Sequence, residues 1–311
     1  MLRIDRLLFP TDVSDRLEGA VPMVIGLAQR FGAEVHLLHN LDPTKARVYD
    51  QVAESADPGA HFAAAEAEIE HRLEELAERL GRGVGSKVTV AVAQKTTPDD
   101  AICEYVTANE VDLVVMVTRP KHTLRERLFG SITQDVLHDC PCSVWTVNAD
   151  RARESPGWQR ILVPTEVHDR SYPAIAVAAS LLDDDGEAQL LHVFEAHAFP
   201  KFYGPPGHEK TYYSFEELEI GLRDEMLALW KQEGRPDVSA SAHVVQGRPA
   251  REILASAAKL GSDLIVTSAI HEHRFLRSIA EVVAFEASPC PVLLARERPG
   301  ATAVAARRAV G

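Results

Sequence analysis

The chain has little of what many functional classes need. Of its 311 residues only four are cysteine: Cys103, Cys140, Cys142 and Cys290. Their spacing forms no disulfide framework, which points to a reducing compartment, the cytoplasm. No apolar run reaches the about 18 residues that a membrane span requires. The opening MLRIDRLLFPTD reads as a strand followed by polar residues, without the apolar core and small-residue cleavage site of a signal peptide. The formal charge of −13 leaves no basic excess, so neither nucleic acid nor an anionic membrane surface is an expected partner. Aromatics make up 6%. There is no G-x4-G-K-(S/T) phosphate loop and no G-x-S-x-G nucleophile elbow. No catalytic constellation stands out.

What the chain has is a repeat. FPTDVSD at 9–15 returns as VPTEVHD at 163–169, and HLLHN at 36–40 as QLLHV at 189–193. DLVVM at 112–116 returns as DLIVT at 263–267, and PCSV at 141–144 as PCPV at 289–292. The second copies lie 154, 153, 151 and 148 residues on (163 − 9, 189 − 36, 263 − 112, 289 − 141). A period near 150 is a whole domain rather than a solenoid unit. Two copies of one fold are expected at 1–148 and 159–296. The polar stretch 149–158, with Pro156 and Gly157, reads as a linker, and 297–311 as a flexible tail.

Within each half, short apolar runs alternate with amphipathic stretches. The pattern predicts strands at 6–10, 35–40, 87–93, 112–118 and 143–147, with helices over 14–31, 61–80, 98–109 and 130–139. Ile69, Leu73, Leu76 and Leu80 fall on one helical stripe. The second half repeats this, with strands at 161–165, 188–194, 239–245, 263–269 and 291–295. Its helices are predicted over 171–182, 214–232, 249–260 and 278–287. Nearly all-apolar strands separated by helices predict two doubly wound α/β domains, each with a five-stranded parallel sheet. Such sheets bind ligands beyond the carboxyl ends of their strands.

PTD after the first strand, LLH in the second, D-L-(V/I)-V in the fourth and PC(S/P)V before the fifth together resemble the universal stress protein family. The likeness covers both halves. It implies a five-stranded parallel, nucleotide-binding-like α/β fold and a non-catalytic stress-response role. It also implies ATP or another adenine nucleotide as the ligand of nucleotide-binding members. In those, G-x2-G-x9-G-(S/T) follows strand four, and an Asp after strand one contacts the nucleotide. Glycines let backbone N–H groups approach phosphate oxygens, and a helix N-terminus suits an anion.

Carried onto this chain, the resemblance gives Asp12, Val117, Arg119, Gly130 and Ser131 as the residues of a first-half nucleotide site. Gly130, Ser131 and Asp12 keep the family's residue types. Val117 and Pro120 stand where the first two glycines belong. Val brings a branched Cβ, and Pro removes a donor. Across 119–127, Arg119, Lys121, Arg125 and Arg127 oppose Glu126, a net +3 that suits an anion. In the second half Ser268, Ser278 and Ile279 occupy the motif, the spacing is three residues shorter, and Glu166 replaces the Asp. Both sites are read as degenerate, the second more so.

Three functional classes stay open: a non-catalytic regulator, an ATP-binding module built on the first half, and a small-molecule or lipid binder using the aromatic 195–215 segment. That segment carries Tyr203, Tyr212, Tyr213 and Phe215. The fifth strands are expected at sheet edges, so the halves are expected to pack as an intramolecular pseudo-dimer. A further homodimer or an unidentified protein partner is compatible with that. His39 and His192 read either as general acids or as satisfied, partly buried residues. Cys140-Pro-Cys142 reads as small buried thiols rather than a redox or metal pair. His271-Glu272-His273 lacks a second ligand pair for zinc, and 183–186 (DDDG) reads as an acidic turn.

Overall fold

A computed structural model of the chain describes residues 3–45, 60–85, 88–118, 131–148, 157–166, 173–194, 202–203, 210–211, 215–268, 279–285 and 288–296. The described residues fold as two units, one within Arg3–Ser155 and one within Pro156–Glu297. Each is taken by itself.

The N-terminal unit contains β1 (Arg6–Pro10), α1 (Val21–Phe31), β2 (Glu34–Asn40), α2 (Ala60–Val84), β3 (Val88–Ala93), α3 (Pro98–Ala108), β4 (Leu113–Thr118), α4 (Ser131–Asp139) and β5 (Ser143–Asn148). Its strands pair in parallel in the order β3-β2-β1-β4-β5. The chain first moves outward through β2 and β3, then crosses back to β4 on the other side of β1. Helices α1 and α2 pack on each other, as do α3 and α4. Leu7, Leu8, Phe9, Val35, Leu37, Leu113, Val114 and Val115 are buried. Apolar side chains on both faces of a strand require cover on both sides, which the helix pairs supply.

The expected 14–31 helix is corrected: Asp15–Ala20 is a 3-10 segment, and the α-helix begins only at Val21. Pro22 is the reason. A helix already running from residue 14 would need its N–H and would collide with its ring. In the first turn of a helix that starts at Val21, neither cost arises. Gly32 closes that helix in a left-handed conformation, with φ of 65°.

The second unit repeats the plan with β6 (Trp158–Pro164), α5 (Pro173–Leu181), β7 (Leu182–Phe194), β8 (Phe202–Tyr203), β9 (Lys210–Thr211), α6 (Phe215–Glu233), β10 (Ser239–Gln246), α7 (Pro249–Leu260), β11 (Leu264–Ser268), α8 (Ile279–Phe285) and β12 (Val292–Ala295). The parallel order is β10-β7-β6-β11-β12. Strand β6 starts at Trp158, inside the stretch read as linker, because that indole is buried. Of the 195–215 segment, β8 and β9 are described, as a short antiparallel pair. Phe215 opens α6, and the remainder, with Tyr212 and Tyr213, lies outside the described residues.

The acidic run 183–186 falls within β7 as a bulge between the Leu182 and Glu187 pairings to β6. Its charges are met from neighbouring chain. Arg235 reaches Asp184 at 2.6 Å, and the Gln159 amide donates to Asp185 at 2.9 Å. Gly186 is buried, and a Cβ there would come within 3.0 Å of the Gln159 carbonyl.

The repeated aspartate before strand four is a structural clamp. Asp112 is buried, and its Oδ2 accepts the backbone N–H of Asp5 at 2.6 Å and of Arg6 at 3.0 Å. Asp263 does the same in the second unit, accepting the N–H groups of Gln159 and Arg160, each at 3.1 Å. The carboxylate thus pins the start of the central strand to its neighbour. Burial raises the Asp263 carboxyl above its ordinary range, against the pull of those backbone donors.

Removing the clamp leaves two backbone donors without their acceptor. Asp112→Ala is expected to lower stability by about 3 kcal/mol, read as a fall in the urea midpoint. His36 gives a pH signature. Its Nδ1 lies 2.8 Å from the Tyr105 hydroxyl, and burial, with Arg6 adding, lowers its pKa from 6.5 while Glu34 opposes. The unfolded chain therefore takes up this proton first. The His36 contribution is complete above pH 6.5 and is lost as pH falls through 6.5 toward the lowered folded value. His36→Gln should flatten that part of the stability–pH curve in thermal melts across the acidic range; an unchanged slope would show that His36 is not its source.

Candidate functional site

The end of β1 passes into Thr11–Ser14, a loop tied down at nearly every polar atom. The Thr11 N–H continues the ladder to the Leu38 carbonyl at 2.9 Å. Its carbonyl lies 2.8 Å from His39 Nδ1. A carbonyl only accepts, so Nδ1 carries the proton and the tautomer is fixed. Thr11 Oγ1 accepts the Val13 N–H at 2.9 Å. Asp12 Oδ1 accepts from Ser14 twice, from the N–H at 3.1 Å and from the hydroxyl at 2.5 Å. These local side-chain bonds close a tight turn.

The turn forces Val13 to φ of 51°. A β-branched residue there is strained, because its Cβ crowds the following carbonyl. The gain is placement: the Asp12 side chain is exposed at the carboxyl end of the sheet.

Beside it lies a cavity of about 240 Å³. It opens between the carboxyl ends of β1 and β4, where the strand order reverses, the place such sheets use for ligands. Thr11, Asp12 and Leu17 line one part, and His39 and Asn40 at the end of β2 another. Met116 and Val117 come from β4, Pro98 and Ile102 from α3, and Ile132 and Thr133 from α4. Asn40 is held by a reciprocal pair: its amide donates to the Lys95 carbonyl, and the Lys95 N–H donates to its Oδ1, both at 3.0 Å. Pro98 opens α3 behind Thr97, whose hydroxyl donates to Asp100 at 2.6 Å.

Of the residues expected from sequence, Asp12 and Val117 line this one cavity. Val117 sits in β4 paired with Val147, half-buried. Ser131 is the first residue of α4, next to the lining residues Ile132 and Thr133. Arg119 and Gly130 lie outside the described residues, as do Pro120 and the remaining basic residues of that loop. Pro98, Ile102, Asn40 and Thr133 were not anticipated as lining. LLHN and the helix-opening Pro98 mark them only in hindsight, since no sequence pattern says which elements meet.

The second unit rebuilds the frame of the same turn. The Thr165 N–H donates to the Leu191 carbonyl at 2.8 Å, and His192 Nδ1 stands 2.9 Å from the Thr165 carbonyl. There the Thr165 hydroxyl contacts the Met226 sulfur at 3.2 Å. Glu166 is exposed where the first unit has Asp12. His39 and His192 thus each commit Nδ1 to the carbonyl that follows the first strand of their unit.

Cys140, Cys142 and Cys290 are buried, as expected. The Cys142 thiol donates to the Ser143 carbonyl at 3.5 Å, and burial pushes the Cys290 thiol up to about 12. Among the described residues no group of three His, Cys, Asp or Glu side chains is placed to hold a metal. His271-Glu272-His273 lies outside them. Nor is any described helix long and apolar enough to cross a membrane.

A doubly wound parallel domain, occurring twice, with an acidic turn after its first strand and a cavity at the strand reversal, defines a nucleotide-binding-like α/β protein. The universal stress protein family model matches residues 3–148 and again 157–296, so the chain belongs to the universal stress protein family and carries two of its domains in tandem. Universal stress proteins of Mycobacterium bovis and Mycobacterium tuberculosis are each 26% identical over 209 residues, covering 65% of this chain and 67% of theirs. Among solved structures, a universal stress protein from Archaeoglobus fulgidus superposes with a TM-score of 0.66 at 19% identity, over 96% of this chain and 98% of that one. A functionally unknown protein from Pseudomonas aeruginosa gives 0.61 at 19% identity, over 94% and 92%. At such identities these structures speak to the fold.

The strain at Val13 is open to test. Val13→Gly is expected to raise stability by about 1 kcal/mol, because glycine enters the left-handed region freely. A rise in the thermal midpoint checks it, and a fall would show that the Val13 side chain contributes more than its backbone costs.

Proposed function

We propose that the chain is a non-catalytic stress-response regulator of the cytoplasm. Its N-terminal domain senses an adenine-containing ligand, held by the base and sugar rather than by the phosphates. The carrying observation is that Asp12 and Val117 line the same cavity of about 240 Å³. Its walls are mostly apolar, which suits a flat heterocycle. The Asp12 carboxylate supplies an acceptor for ribose hydroxyls or a base amino group. Val117 works against a triphosphate grip, since a branched Cβ stands where the family motif has its first glycine.

The side chains around the cavity support a binding rather than a catalytic role. His39 commits its Nδ1 proton to the Thr11 carbonyl, and Asn40 is engaged with the Lys95 backbone. The C-terminal domain, with Glu166 and without the glycines, takes the structural part in this reading.

Calorimetric titration of the full chain with adenosine and ATP tests the proposal. Their affinities are expected to agree within about tenfold, a difference of about 1.4 kcal/mol. Asp12→Ala should weaken both by about tenfold, while Val117→Gly should strengthen ATP selectively. Wild-type ATP binding more than about a hundredfold tighter than adenosine would overturn the base-and-sugar reading. Failure of both to bind would overturn the adenine reading altogether.

A further inference from the structure

Helix α2 carries three arginines and six glutamates, and it sorts them. All three arginines, Arg72, Arg79 and Arg82, line a cavity of about 560 Å³ in the N-terminal unit. Of the glutamates only Glu75 and Glu78 do so. The helix therefore sums to −3 (3 − 6) and its cavity wall to +1 (3 − 2). Spacing produces the sorting. Positions 72, 75, 79 and 82 recur at intervals of three and four, which puts them on one stripe of the helix. Beside that stripe runs Leu76, buried and also lining the cavity. Another wall is the turn after β1, through Thr11, Val13 and Ser14. Thr11 and Leu17 line this cavity and the one at the strand reversal, so the turn is the partition between the two.

Two local explanations account for part of the pattern. Arg82 lies in the last turn of α2, where the helix dipole favours a cation. Arg72 pairs with Glu68 one turn earlier, at 2.8 Å. Neither explains why all three guanidinium groups gather at one hollow of a chain whose net charge is −13. The matching helix of the C-terminal unit, α6, has Arg223 and Lys231 as its cations, and Arg223 is paired with Glu219 at 2.7 Å. The basic stripe thus belongs to one copy of the domain.

We propose that this second cavity binds a phosphorylated small molecule, its phosphate held by Arg79 and Arg82 and its organic part lying along the Thr11–Ser14 turn. A guanidinium presents parallel N–H donors that match two phosphate oxygens. Arg79 and Arg82 are one helical turn apart, so a single phosphate can bridge them. Arg72 stands two turns before Arg79 and adds charge rather than a bond; its exposed pair with Glu68 is screened by water and holds it weakly. Glu75 lies between Arg72 and Arg79 on the stripe and repels the anion from that end. With Glu75 and Glu78 present the net attraction is small, so affinity comes from paired N–H bonds, and chloride, which accepts no such pair, is not held. A volume of about 560 Å³ exceeds what orthophosphate fills and lies in the range of small-molecule sites, about 300–1,000 Å³.

The test titrates the full chain, labelled with nitrogen-15, with glycerol 3-phosphate, inorganic phosphate and chloride at matched ionic strength. The arginine side-chain Nε–H resonances are followed, assigned through Arg72→Gln, Arg79→Gln and Arg82→Gln. All three side chains are exposed, so the variants are expected to melt with the wild type. Glycerol 3-phosphate should give saturable shifts, largest at Arg79 and Arg82. Arg79→Gln with Arg82→Gln should weaken it by about tenfold. Arg79→Lys, which keeps the charge and loses the fork, should weaken it by about threefold. Arg223→Gln should leave the affinity unchanged. The absence of saturation, or an unchanged affinity in the double variant, would overturn the proposal. Equal shifts with chloride would reveal an adventitious ion only, and inorganic phosphate binding with the ester excluded would reveal a bare-ion site; either overturns it too. Glycerol 3-phosphate carries no base, so these outcomes stand apart from the adenine reading.

Discussion

The candidate site depends on a single bond that each domain makes once: a histidine at the end of the second strand donating from Nδ1 to the carbonyl just beyond the first. In the N-terminal domain His39 holds Thr11 in this way, in the C-terminal domain His192 holds Thr165. The N–H at that point makes the last ladder bond, to Leu38 or Leu191, and the backbone then leaves the sheet. A carbonyl at a strand end would otherwise be free to rotate, and the residues after it would wander. With the imidazole in place, the Thr11 side chain can capture the Val13 N–H and Asp12 can capture Ser14. The strained Val13 backbone is stable only because the bonds around it over-determine the turn.

The two domains share this frame and differ in what they mount on it. Both keep the aspartate clamp at the start of the fourth strand, Asp112 and Asp263. Both bury a cysteine just before the fifth strand, Cys142 and Cys290. The differences gather where a ligand would be met: Asp12 against Glu166, and Val117 against Ser268. Framework residues answer to packing and hydrogen bonding, which a domain needs whether or not it binds anything. Residues at the mouth answer only to the ligand, so they are free to drift once it no longer matters.

Much of this was legible in the sequence. The strands were placed to within a few residues at most ends, because runs such as LVVMVT and LIVTS are too apolar and branched for an exposed segment. The exceptions are instructive. The amphipathic pattern of the first helix extends back past Pro22, but the missing donor of that proline resets the start to Val21. The run DDDG reads as a turn by composition, yet it lies within β7 as a bulge whose charges Arg235 and Gln159 satisfy from elsewhere in the chain. Asp12 and Val117 were found through the resemblance and do share a cavity. Its other walls, Ile102 from one helix and Thr133 from another, were out of reach, because periodicity reports a residue's face but not what that face meets. The left-handed Val13 was equally invisible: nothing in a β-branched residue announces a positive φ.

The aspartate clamp has a consequence for how the molecule tolerates change. Each clamp is assembled wholly inside its own half, with donors and acceptor about a hundred residues apart in sequence yet never borrowed from the other copy. A mutation that weakens one domain's scaffold therefore finds no spare in its twin. Duplication has repeated the architecture in this chain without making it redundant, so each copy must hold itself up whatever its mouth residues become.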